Sequence, residues 1–194
     1  FKKGLFKNIY GDYNFKTTLL GDHNILNASA AIIASLVANI SIKSIKHSLK
    51  KFQGVKRRFS FIGKIYNSSI YDDYAHHPTE IKASYDIAQQ ISKEKIVVVF
   101  QPHRYSRTKI LLNDFVKVLK KIDILFVLDI YSAGEKPIKN INSNNLVKLI
   151  KFNNSNKNIH YINQSAKLNL ILNTFFKDEN TIIFMGAGSI TSFA

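Results

Sequence analysis

The sequence predicts an α/β protein with a mainly parallel β-sheet flanked by helices. Three observations predict it. Short β-branched runs alternate with longer segments of helical periodicity. The run IVVVF at 96–100 is apolar at every position, as expected of a strand buried on both faces. Polar residues cluster just after successive strand-like runs, and in an open α/β sheet the carboxyl ends of the strands form the ligand crevice.

From the N-terminus, residues 16–20 read as a short strand. Residues 24–37 read as an amphipathic helix, with Ile25, Ala28, Ile32 and Leu36 near helical spacing. Ser41 offers an N-cap to a second helix running to about Phe52, and Gly54 ends it. The basic segment 54–58 reads as a loop and a domain boundary. Strands at 59–65 and 68–71 follow, joined by a turn at Asn67 and Ser68. A helix over 78–92 carries Pro78 at its first position, where its missing N–H costs nothing. The alternation continues with a strand at 96–100, a helix at 106–121 and a strand at 124–128. It ends with a helix at 143–151, a strand at 158–162, a helix at 165–176 and a last strand at 181–185.

The 194 residues are enough for one full domain and part of another, and 45% hydrophobic content supports a buried core. The lack of cysteine excludes disulfides and thiolate metal sites and fits a reducing, cytoplasmic compartment. The first residue is Phe1, so the chain reads as a fragment with further domains upstream. No signal-peptide pattern is present. The longest apolar stretch, 25–40, is interrupted by Asn27, Ser29, Ser35 and Asn39, so no membrane span is expected. The net charge of +15 has two readings, a nucleic-acid binder or a solvated lysine-rich surface. The lysines are spread along the chain without interleaved aromatics, so neither nucleic acid nor membrane is an expected partner. An anionic small substrate, such as a nucleotide, would benefit from the same field. No sequence pattern sets an oligomeric state.

The chemistry-bearing residues fall into four strand-end clusters. In DDYAHHPTE, a carboxylate could accept from a ribose diol, and His76 and His77 precede a helix N-terminus that favours anions. The same residues could hold a metal or simply cap the helix. Adjacent histidines diverge and no HxH or HxxxH spacing is present, so no metal is expected. In QPHRYSRT, Arg104 and Arg107 are three apart and suit a carboxylate or phosphate. DIYSAGEKPI reads equally as a binding loop or a turn. GAGSIT lacks the third glycine of a dinucleotide fingerprint and reads as a tight strand-to-helix turn. Before the boundary, His23 and Asn27 lie four apart on one helix face, where an amide could pair with adenine; Asn24 could be a helix cap. Arg57 and Arg58 could reach a phosphate or be solvated. The chain has no GxxxxGK[ST], so it lacks that phosphate cradle.

Read in order, GDHNILNA, GVKRRF, DDYAHHPTE, FQPHRYSRT, DIYSAGE and MGAGSI resemble the closing half of the Mur ligases over nearly the whole chain. The resemblance implies that residues 1–57 are the end of a central, P-loop ATP-binding domain and 58–194 a Rossmann-like C-terminal domain. It implies ATP-dependent ligation of L-alanine to UDP-N-acetylmuramate through an acyl phosphate, in peptidoglycan precursor synthesis. A sibling that adds a tripeptide to the same nucleotide sugar shares the DD-aromatic-AHHP cluster, but FQPHRYSRT favours the alanine-adding branch. By resemblance, His23 and Asn27 contact adenine, Arg58 the ATP phosphates and Asp73 the ribose. Tyr74, His76, His103, Arg104 and Arg107 hold alanine and the sugar-lactyl end, with Arg58, His76 and Arg107 closest to the chemistry. Mg²⁺ ligands are expected upstream, so this chain by itself should not turn over. Asp22 departs from the pattern, standing where the family often carries a basic residue.

Overall fold

A computed structural model describes residues 2–8, 11–152, 158–163 and 165–193. The chain forms two compact units, Phe1–Val55 and Lys56–Ala194.

In the first unit, β1 (Lys2–Asn8) pairs antiparallel with β2 (Gly11–Thr17), and helices α1 (Asp22–Val37) and α2 (Ile42–Lys51) follow. The strand expected at 16–20 ends at Thr17, whose Oγ1 accepts from Leu19 N at 3.2 Å and turns the chain. Helix α1 starts from Gly21, not from a cap by Asn24; the Asn24 amide instead donates to Leu20 O at 2.7 Å. Ser41 caps α2 as expected, its Oγ accepting from Ser44 N at 3.2 Å. Phe15, Ile32 and Ile45 are the buried centre of a small apolar cluster completed by Leu36 and Leu49.

The second unit is a six-stranded sheet in the order β3-β4-β8-β5-β6-β7. Its strands are β3 (Ser60–Ile65), β4 (Ser68–Asp73), β5 (Ile96–Phe100), β6 (Ile124–Leu128), β7 (Ile159–Ile162) and β8 (Thr181–Met185). Only the edge strand β3 runs antiparallel; β4, β8, β5, β6 and β7 are mutually parallel. Its helices are α3 (Pro78–Ile91), α4 (Tyr105–Ile110), α5 (Leu112–Leu119), α6 (Ser143–Phe152) and α7 (Ser165–Leu172), with a final 3₁₀ turn at Ser189–Phe193.

Every residue of β5, β6 and β8 is buried. Because strand side chains alternate, these residues feed two apolar layers. Val98, Phe100, Leu125, Val127, Ile183 and Met185 meet α3, α5 and α6 on one face. Val97, Val99, Phe126, Ile182 and Phe184 meet Leu168, Leu172 and Ile190 on the other. Each fully buried aliphatic side chain contributes about 1.5–3 kcal/mol, so the sheet rigidly fixes its strand tips.

The expected helix over 106–121 is divided. Leu111 (φ −102°, ψ 19°) separates α4 from α5. The break turns Leu111, Leu112, Phe115 and Leu119 together onto the core and leaves Ile110 79% exposed. The hairpin turn lies at Tyr66 and Asn67, one residue earlier than expected, with Tyr66 in the left-handed region (φ 49°). The helix expected to reach residue 176 stops at Leu172. Strand β8 comes last in the chain but lies between β4 and β5. The topological switch therefore falls at its carboxyl end, where α/β sheets bind ligands.

Candidate active site

The four polar clusters of the second unit meet along the carboxyl edge of this sheet. Gly186 and Gly188 form the floor after β8. A Cβ on Gly186 would lie 2.9 Å from Gln101 O, and one on Gly188 would lie 2.6 Å from the Tyr131 ring. Only glycine allows the neighbouring loops to close over this turn.

A row of planar groups crosses above it. The Arg57 guanidinium lies 4.8 Å from the Tyr74 ring centroid, and Tyr74 meets His76 edge-on at 5.2 Å. His76 and His103 are 6.0 Å apart, and His103 stacks on Tyr131 at 5.4 Å. Backbone bonds tie the loops beneath. Gly186 N donates to Asp73 O, Gln101 N to Met185 O, Tyr131 N to Pro102 O and Arg104 N to Tyr131 O, all at 2.8–3.0 Å.

The hydrogen-bond partners assign the imidazole nitrogens. His76 Nδ1 lies 2.8 Å from Tyr74 O, which can only accept, so Nδ1 carries a proton and Nε2 is the acceptor of the neutral ring. Arg107 Nη1 donates to His103 Nδ1 at 3.2 Å and to His103 O at 3.3 Å, so neutral His103 carries its proton on Nε2. Burial lowers the His103 pKa, helped by Arg107, His76 and Arg104 and opposed by Glu135. The edge thus sets an imidazole acceptor beside an imidazole donor and an anchored guanidinium.

His77 faces away from this row. Its Nδ1 accepts from Thr79 N at 3.3 Å, and Glu80 Oε2 accepts from the His76 and His77 N–H groups at 3.1 and 3.2 Å. This is a capping box in which histidine takes the serine's place. Although burial opposes it, the His76 N–H and ring together with the His77 N–H and Arg58 pull the Glu80 pKa down. Arg58 is half exposed, and its Nη1 lies 3.5 Å from Glu80 Oε1.

Asp73 does not join the row. Its side chain is 3% exposed and accepts from Phe59 N at 3.2 Å, Ala75 N at 2.8 Å and Ser84 Oγ at 2.6 Å. Burial raises its pKa against those bonds. The carboxylate expected to reach a ribose diol instead fastens the Tyr74–His76 loop from below. Asp72 is likewise 1% exposed, with Arg57 Nε 3.4 Å from its Oδ2.

In the first unit, His23 and Asn27 both lie on α1 and are exposed. In the second, His76, His103 and Arg107 converge with Tyr74. Arg104 belongs to the same loop but its side chain is exposed.

Four contributors were given no settled site role by sequence reasoning: Arg57, left between a phosphate contact and solvation, and Gln101, Tyr131 and Glu135. Arg57, whose Nη2 donates to Gly186 O at 2.7 Å, locks the glycine turn to the start of β3. Gln101 is 8% exposed, and its Oε1 has no hydrogen-bond partner among the described residues. Glu135 accepts from Ser106 N at 2.9 Å and from Ser106 Oγ at 2.5 Å. Arginine beside a second arginine and a motif glutamate were the available signals; their partners lie 29 or more positions away in the chain.

Residues 57–188, which contain the whole of this edge, match the family model described as Mur ligase, glutamate ligase domain. The chain belongs to the Mur ligase family. This Mur ligase chain is 43% identical over 178 residues to a UDP-N-acetylmuramate–L-alanine ligase of Rickettsia africae, covering 90% of the chain and 36% of the relative. It is 42% identical over 189 residues to the ligase of the same name from Wigglesworthia glossinidia brevipalpis, covering 91% and 39%. The chain therefore spans little more than a third of the length of these relatives. Among solved structures, the UDP-N-acetylmuramate-alanine ligase of Thermotoga maritima superimposes with a TM-score of 0.74 at 28% identity, over 93% of this chain and 38% of that one. The murein peptide ligase of Psychrobacter arcticus shares the fold, with a TM-score of 0.67 at 22% identity over 96% and 38%.

Proposed function

We propose that this Mur ligase chain is the amino-acid-receiving part of an enzyme that joins L-alanine to UDP-N-acetylmuramate with ATP, during cytoplasmic synthesis of peptidoglycan precursors. The observation that carries the reading is the convergence of His76, His103 and Arg107 at one strand edge, with Arg107 3.2 Å from His103. The identity to alanine-adding relatives supports the choice of amino acid over a tripeptide.

In this reading ATP phosphorylates the muramoyl carboxylate, and the alanine amine attacks the acyl phosphate, releasing phosphate. The chain's residues act by position and charge. His103 fixes one nitrogen of Arg107, leaving the Nε/Nη2 edge of the fork for the alanine carboxylate. Held by its carboxylate, alanine presents its amine outward. His76 Nε2, the free acceptor, can take a hydrogen bond from that amine. Arg104, Tyr74 and His103 line the approach. Arg58 would meet the phosphate side, exchanging its exposed contact with Glu80 for the stronger charge. His23 and Asn27, on the exposed face of α1, would serve adenine. Mg²⁺ would neutralise phosphate charge; no group among the described residues could hold it, so no step is assigned to it.

The test is a chimaera that supplies the N-terminal segments of the Rickettsia africae relative to this chain. ATP-dependent joining of L-alanine to UDP-N-acetylmuramate is expected. Arg107→Ala should raise the KM for alanine or lower kcat by ten-fold or more, since a charge-assisted pair contributes about 1.5–3 kcal/mol, with ATP binding retained. Unchanged alanine kinetics would remove the assignment.

A further inference from the structure

Arg104 has φ 74° and ψ 137°, outside the regions open to ordinary side chains. Such a backbone costs of order 1–3 kcal/mol and persists only where neighbouring contacts enforce it. The Arg104 carbonyl accepts from Thr108 N at 3.1 Å and Thr108 Oγ1 at 2.8 Å within α4, and the remaining ties come from one loop. On the near side, Arg104 N donates to Tyr131 O at 2.8 Å. On the far side, Glu135 accepts from both Ser106 N and Ser106 Oγ. Between them, Ala133 (φ 50°) and Gly134 (φ 86°) turn the loop back, with Glu135 N donating to Ser132 O at 3.1 Å. Arg104 itself and Ser106, two positions on, are thus stitched to the two ends of the five-residue span 131–135.

We propose that Glu135 is a positioning residue: by holding Ser106 it keeps Arg104 in its left-handed backbone and thereby aims Arg107, in the first turn of α4, back at His103. Without that tie the 103–106 segment can relax to an ordinary φ. The first turn of α4 then rotates, and Arg107 loses its register with His103. The inference deepens the reading of this edge as the amino-acid end of the site, and its test does not depend on that reading.

The test is the titration of His103 in this chain, followed by NMR of its ring protons, in Glu135→Gln and Glu135→Ala. Glutamine keeps both ties, its oxygen accepting from Ser106 N and its amide donating to Ser106 Oγ, but removes the charge. Glu135 is the one neighbour that raises the His103 pKa. Glu135→Gln should therefore lower that pKa. Glu135→Ala also removes the charge, but it should raise the pKa, because Arg107 moves away. Opposite shifts are the expected result. Equal shifts in the same direction would show that Glu135 acts by charge alone and would overturn the proposal. If Glu135→Ala does not fold, Glu135→Asp replaces it; it keeps the negative charge but is one methylene too short to reach both Ser106 N and Ser106 Oγ, and an upward shift is again expected, with no shift counting against the proposal. L-alanine added to the wild-type chain reads the other question. Failure to perturb His103 would count against amino-acid binding here without touching the positional role.

Discussion

At Asp73, two carboxylate oxygens take three hydrogen bonds at the base of the Tyr74–His76 loop. Replacing it with alanine strands the Phe59 and Ala75 N–H groups and the Ser84 hydroxyl, and a buried donor without a partner costs about 1–3 kcal/mol. Asp73→Ala should lower stability by roughly 3 kcal/mol, read by denaturant unfolding, and Asp73→Asn by less. A wild-type midpoint for the alanine variant would show that the carboxylate carries no structural load. The sequence made the DDYAHHPTE cluster conspicuous. It could not tell which member faced the crevice, because that depends on the pleat of β4 and on Ser84, eleven positions away on α3. Arg57 was ambiguous for the same reason, since its acceptor is the Gly186 carbonyl at the other end of the domain.

At the scale of elements, α3 is started by His77 and Glu80 together. Loss of a helix N-cap typically costs about 1 kcal/mol. His77→Ala should therefore lower the unfolding free energy by about that amount, and His77→Asp, a strong cap, should restore it. If alanine and aspartate behave alike, the imidazole is not capping. The strands β5, β6 and β8 were legible because both faces are buried, which leaves an uninterrupted apolar run in the sequence. The break at Leu111 was not, because 106–121 contains no proline or glycine and its division depends on how the core receives Leu111, Leu112 and Phe115. The hairpin β1–β2 also escaped the reading, its residues being too polar to display an alternation.

For the whole molecule, the pH dependence of stability follows from the histidines. His103 and His160 both have pKa values lowered first by burial, with Lys151 adding to the shift at His160. A group that binds its proton less readily when folded makes the unfolded state the better proton acceptor. Stability should thus fall as pH drops from about 6.5 through the folded-state values, since 6.5 is the ordinary histidine pKa. Melting temperature measured across pH 5–8 should show this slope, and His160→Gln should flatten it. Asp72 and Asp73, raised by burial, act in the opposite sense, recovering stability only as pH falls from their raised values toward the ordinary carboxylate range. A melting temperature that does not change between pH 8 and 6 would show that the imidazoles carry no folding penalty.

The placement of β8 has a consequence for biosynthesis. Residues 181–185 hydrogen-bond to β4 on one side and β5 on the other, so a ribosome must make nearly all of the second unit before these two strands have their shared neighbour. Until then the nascent chain holds two incomplete ribbons, each with an open flank of unpaired amides suited to capture by a foreign strand. Their union assembles the crevice floor in the same event, because the glycine turn follows β8 directly. Emergence of residues 181–185 and closure of the crevice floor are therefore coupled, so the loops after β4 and β5 gain their shared base only when β8 inserts.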